Sequence, residues 1–133
     1  MTYLLDTNVC IKYLNGKAPK VRLRLQSHRP EEIRVCSIVK GELFAGARKS
    51  TNPVRTLARQ QAFLAVFASL PFDDAAADAY GRIRAHLESV GTPMGPHDTQ
   101  IAAIALASGC TLVTDNTREF SGVPGLPIEN WEM

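Results

Sequence analysis

Three short apolar runs, "TYLL" (residues 2–5), "IRVCS" (33–37) and "TLVT" (111–114), are separated by longer segments whose apolar residues recur at helical spacing. Runs this brief suit buried strands rather than helices. Strands joined through helices need crossover connections, so the alternation dictates an α/β fold with a mainly parallel sheet covered by helices. Such sheets bind ligands outside the carboxyl ends of their strands. The residues that follow the runs therefore matter most, and two are acids: Asp6 after "TYLL" and Asp115 after "TLVT".

The intervening segments carry their own punctuation. Thr7 or Asn8 is placed to cap a short helix over "VCIKYL", and a polar, basic helix is expected from about Pro19 to His28. Ser37 is placed to cap "IVKGELFAGARK". Residues 54–70 carry Leu57, Phe63, Leu64, Phe67 and Leu70 at helical spacing, with "PFD" after them as a brief strand. A further helix is expected over about 75–90, "GTPMGP" breaks the chain, and "HDTQIAAIALASG" has the start and stop chemistry of another. "LPIENW" is the candidate closing strand.

A length of 133 residues, 45% hydrophobic, fits one domain, residues 1–133, with a packed core. No run approaches the roughly 20 apolar residues of a membrane span, and "MTYLLDTNVC" lacks the features of a signal peptide. Cys10, Cys36 and Cys110 are odd in number and sit among apolar neighbours, as expected of packed thiols in a reducing, cytoplasmic setting. Charge is unevenly distributed: residues 12–59 hold 12 of the 15 Lys and Arg but only three of the 13 acids. That basic part favours a polyanionic partner, whereas the acidic remainder would repel one unless a cation or a basic partner covers it.

Two more acids stand at helix junctions. Glu42 lies on the apolar helix "SIVKGELFAGA", where a lone carboxylate must be solvated, paired or bound to a cation. Asp98 opens a helix that is apolar almost all round, where its carboxylate can cap free N–H groups. Taken singly, capping and turn roles explain Asp6 and Asp98. Together, acids delivered by four junctions of one parallel sheet form a cluster that cannot stay ionised without a cation, because neighbouring carboxylates raise one another's pKa. Oxygen ligands suit Mg²⁺ or Mn²⁺ and point to metal-assisted phosphoryl transfer.

The stretches "LLDTNVCI", "SIVKGELFAGARKS" and above all "GTPMGPHDTQIAAIALASGCTLVTDNTREFSGVPGLPIENW" resemble a PIN-domain ribonuclease of the VapC type, the toxin of a type II toxin-antitoxin pair. The likeness runs over nearly the full length and is most specific at residues 91–131. It implies a PIN-like three-layer α/β/α fold, an acidic site of Asp6, Glu42, Asp98 and Asp115 holding Mg²⁺ or Mn²⁺, a homodimer, and a VapB-type antitoxin partner whose C-terminal segment crosses the cleft. In such toxins the position matching Asp115 is often Asn, and the acid matching Glu119 completes the site. Both acids are present here, leaving Asp115 as the preferred fourth ligand and Glu119 as its alternative or an indirect contact.

The resemblance further implies metal-dependent endoribonuclease activity that inhibits translation, with tRNA, initiator tRNA in particular, as the leading substrate and water as the nucleophile. Lys12, Lys17, Lys20, Arg22, Arg24, Lys40, Arg48 and Lys49 are candidates to hold flanking phosphates. Thr7, Asn8, Thr114 and Asn116 are polar neighbours of the acids, Arg118 is expected to pair with Glu119 or face solvent, and Tyr3 and Trp131 are expected to pack. The competing readings are a non-catalytic nucleic-acid or partner-binding PIN module, which predicts a missing acid, and a DNA-directed metal nuclease. A haloacid-dehalogenase-like phosphatase would need a second Asp where Asn8 stands, and no phosphate-binding glycine loop is present.

Overall fold

The structure, a computed structural model, describes all residues 1–133. Strand β1 (Tyr3–Leu5) leads into helices α1 (Thr7–Leu14) and α2 (Pro19–Gln26), and β2 (Ile33–Cys36) into α3 (Ser37–Arg48) and α4 (Pro53–Leu64). Then follow β3 (Ala68–Leu70), α5 (Asp74–Ser89), α6 (Pro96–Ala107), β4 (Thr111–Val113), the single-turn α7 (Thr117–Phe120) and β5 (Ile128–Glu129). All pairings are parallel, in the order β3-β2-β1-β4-β5. The parallel α/β architecture expected from the strand-helix alternation is present.

The strand order locates the site. From β1 the chain steps outward to β2 and β3, and from β4 it steps the other way to β5. With right-handed crossovers, steps in opposite directions place their helices on opposite faces of the sheet, giving three layers. β1 and β4 are neighbours whose connections diverge, so a crevice opens between their carboxyl ends. Leu4, Leu5, Val35, Leu112 and Val113 are fully buried at the sheet centre, as two-sided covering requires. Helix α6 is buried along Ile101 to Ala105, and its small alanines let it lie close to the sheet and to α5.

Several boundaries differ from the sequence expectation. The apolar pattern over 54–70 is not one helix: α4 stops at Leu64, and Ala68–Leu70 pairs with Arg34–Cys36. Ladder bonds to β2 outweigh the helical spacing there, and Pro71, which has no N–H, ends the strand before "PFD". Asp6, rather than Thr7 or Asn8, caps α1. Ser37 is the first helical residue of α3, not its cap. Helix α6 starts at Pro96 after Gly95, so Asp98 lies within the first turn and makes no capping bond. All three cysteines are free and buried, in line with packed thiols.

Candidate active site

Asp6 is the residue at which the apolar strand β1 gives way to helix α1. Its backbone N–H still donates to the Val113 carbonyl of β4 (2.9 Å), which fixes it at the crevice between the two central strands. One carboxylate oxygen, Oδ1, accepts from the Thr7 N–H (2.8 Å), and Oδ2 accepts from the Thr114 hydroxyl (2.8 Å). Only 4% of the residue is exposed. Burial pushes its pKa from 3.8 up to about 6 against the pull of those two hydrogen bonds, and the charges of Asp98 and Asp115 push in the same direction.

The other acids surround this point from separate elements. Glu42 of α3 is held from across the crevice: the Thr7 hydroxyl donates to Oε1 (2.7 Å), and His97 Nδ1 lies 3.7 Å from Oε2. Asp98, in the first turn of α6, has its pKa raised by burial and then by the charges of Glu119 and Glu42, with His97 opposing. Asp115 follows β4 and accepts from Lys12 Nζ at 2.6 Å. Glu119 of α7 accepts from the Asn116 side-chain amide (2.7 Å). Thr114, fully buried, accepts from the Asn116 N–H (3.0 Å) while donating to Asp6, so one hydroxyl sets both the carboxylate and the start of the following loop.

The electrostatic neighbours order the five acids. Asp6 is influenced by Asp98 and Asp115, and Asp98 by Glu119 and Glu42. No three carboxylate, imidazole or thiol groups are gathered into a ready-made cation cage. The acids therefore face one crevice without closing into a cage. Beside Glu42 a groove of about 490 Å³ runs between α3 and α6, lined by Gly41, Gly46, Lys49, His97 and Gln100 among others.

Of the polar neighbours named from sequence, Thr7, Thr114 and Asn116 bond the acids, whereas Asn8 faces solvent. Arg118 is exposed and forms no ion pair, and Glu119 accepts from Asn116. Tyr3 and Trp131 pack together as expected, with ring centres 5.3 Å apart, and His28 stacks on Trp131. Arg24 is committed to Glu129 and to the Trp131 ring. Sequence reasoning missed Glu132, whose carboxylate accepts from Lys12 at 3.0 Å. Nothing in its local sequence marks it, since the contact joins residues 120 positions apart.

The chain is similar to known proteins over nearly its whole length. The PIN domain family model matches residues 3–126. The chain is 40% identical over 131 residues to a tRNA(fMet)-specific endonuclease VapC of Salmonella typhimurium, covering 98% of each chain. It is 34% identical to Ribonuclease VapC2 of Rickettsia felis, covering 99% of each. Among solved structures, the DNA-bound VapBC of Salmonella typhimurium superposes with a TM-score of 0.93 at 40% identity, covering 98% of both chains. VapBC2 of Rickettsia felis bound to a promoter DNA fragment superposes at 0.91 with 33% identity, covering 98% of this chain and 99% of that one.

Proposed function

The chain belongs to the PIN-domain family and, within it, to the VapC ribonucleases, and from that premise we propose that it hydrolyses tRNA with Mg²⁺ or Mn²⁺ at the Asp6 crevice. The observation that carries this reading is the placement of Asp6: a buried carboxylate with both oxygens hydrogen-bonded, its pKa raised to about 6, and further carboxylates beside it. Burying charge among like charges is costly, and a protein that keeps such a group has a use for it.

A divalent cation fits the residues present. The set is all oxygen, its charge is in excess, and the only basic groups paired with it are Lys12 and the exposed His97. Asp6, Asp98 and Glu42 would hold the cation, with Asp115 or Glu119 as the fourth carboxylate. Once bound, Mg²⁺ or Mn²⁺ would polarise the scissile phosphate and make water a competent nucleophile near neutral pH. Thr7 and Thr114 fix the orientation of Glu42 and Asp6, so the carboxylates need no reorganisation when substrate arrives. Glu42 Oε2, the oxygen that Thr7 leaves free, would take the proton of the attacking water. Attack by water on phosphorus with departure of the 3′-oxygen, which takes up a proton as it leaves, would give 5′-phosphate and 3′-hydroxyl ends.

The substrate proposal, tRNA and initiator tRNA in particular, rests on the 40% identity to the tRNA(fMet)-specific enzyme. The partner proposal, a VapB-type antitoxin, rests on the superposition with VapBC complexes; that the protein acts as a homodimer rests on the family resemblance alone. No helix is long and apolar enough to cross a membrane. Expression without the antitoxin should arrest bacterial growth and leave tRNA fragments whose sequenced ends lie at one position. The Asp98→Asn variant, produced at the same level, should permit growth. Equal arrest by that variant would remove Asp98 from the site.

A further inference from the structure

Lys12 stands apart from every other basic residue of the molecule. It projects from the last turn of α1, and its ammonium donates to Asp115 Oδ2 at 2.6 Å and to Glu132 Oε1 and Oε2 at 3.0 and 3.2 Å. These three bonds come from two distant parts of the chain, and they are reinforced at Glu132, whose N–H is bonded to the Asn130 side chain and whose neighbour Trp131 is buried. Among Asp6, Glu42, Asp98, Asp115, Glu119 and Glu132, Lys12 is the one Lys or Arg that pairs with any of them. Both partners raise its pKa, so it stays charged.

An ammonium has three N–H donors; Asp115 takes one and the two oxygens of the single Glu132 carboxylate share another, which leaves the third unspent. The Lys12 side chain is 38% exposed, so that donor is open to solvent beside the cleft. A phosphodiester chain approaching so acidic a crevice needs positive charge at its rim, and a lysine already immobilised loses little side-chain entropy on meeting it. We infer that Asp115 and Glu132 form a two-carboxylate cradle fixing the Lys12 ammonium as a contact for an RNA phosphate next to the scissile bond. Asp115 is then a positioning residue for Lys12 rather than a cation ligand. The inference rests on the ribonuclease reading above.

The test compares Lys12→Gln, Lys12→Arg, Asp115→Asn and Glu132→Gln with the wild type, after thermal melting shows that each is folded. Two quantities are read: kinetics and salt-dependent binding with total tRNA, and Mn²⁺ affinity by calorimetry without RNA. Lys12→Gln should raise KM about tenfold with kcat within about twofold, and should lower the salt slope of tRNA binding by about one. Lys12→Arg should restore most of both. Asp115→Asn should reproduce the KM effect while its Mn²⁺ affinity stays within about threefold of wild type, and Glu132→Gln should show a smaller KM effect. A tenfold or greater loss of Mn²⁺ affinity in Asp115→Asn overturns the inference, as does a wild-type KM and salt slope in Lys12→Gln. If the wild type binds labelled tRNA without cleaving it, the ribonuclease reading fails, while the binding slope still decides whether Lys12 meets phosphate.

Discussion

Leu5 and Asp6 are adjacent in the chain and belong to opposite regimes of one sheet. Leu5 is fully buried at the centre of the parallel ladder, paired with Val113 and surrounded by apolar side chains. Asp6, one residue on, is almost as buried, but it carries a carboxylate whose ionised form is disfavoured by burial and by two other acids. The buried apolar positions along β1, β2 and β4 add to stability; Asp6, just after β1 ends, carries a desolvation cost against it. The difference teaches that the crevice between β1 and β4 holds charge at a cost, which the apolar layers on either side offset.

The contrast can be broken most severely at Asp6. Asp6→Asn keeps the shape and the bond accepted from the Thr7 N–H, while its amide NH₂ must donate to Thr114 where the carboxylate accepted; tRNA cleavage should fall at least about a thousandfold, roughly 4 kcal/mol of barrier, while the metal-free protein melts no lower than wild type. Cleavage rates and melting curves in EDTA check both halves. Leu112→Ala, a fully buried strand position, should do the reverse. It should lose about 2–5 kcal/mol of unfolding free energy in urea, with the activity per folded molecule retained.

A pH series sharpens the same contrast. The folded-state pKa of Asp6, about 6, lies above its ordinary value of 3.8, so between these values the folded protein holds a proton that the unfolded chain has released. Stability of the metal-free protein should therefore fall as pH rises from about 4 to 6, by up to about 3 kcal/mol, and then level off. Asp98 is raised as well and acts in the same direction. Urea unfolding at several pH values should show the decline in wild type and a flatter profile in Asp6→Asn; parallel profiles would contradict it. Smallest is the effect of Thr7→Val, which removes the hydroxyl that orients Glu42. There kcat should fall about tenfold with little change in KM.

Much of this was legible in the sequence because it rests on local pattern. Apolar runs too short for helices, alternating with helical periodicity, gave the parallel α/β fold, and acids after "TYLL" and "TLVT" marked the strand ends. What escaped depends on contacts between distant residues. Strand β3 was hidden in a helical pattern, because only pairing with β2 reveals it. The cap of α1 was open in the sequence among Asp6, Thr7 and Asn8, since a carboxylate one residue earlier reaches the same free N–H groups, and the fold assigns it to Asp6. Lys12 was one of many basic residues until the fold set it between Asp115 and Glu132. Sequence placed the acids; the pairings that separate Asp115 from Glu119 required the structure.

The central claim is that the acids around Asp6 serve a cation in RNA hydrolysis. The most direct measurement is cleavage of total tRNA by the purified protein, freed of antitoxin, in Mn²⁺, after EDTA, and after Mn²⁺ is restored. Cleavage that stops with EDTA, returns with Mn²⁺ and leaves 5′-phosphate ends is the predicted result. Cleavage undiminished in EDTA would contradict it.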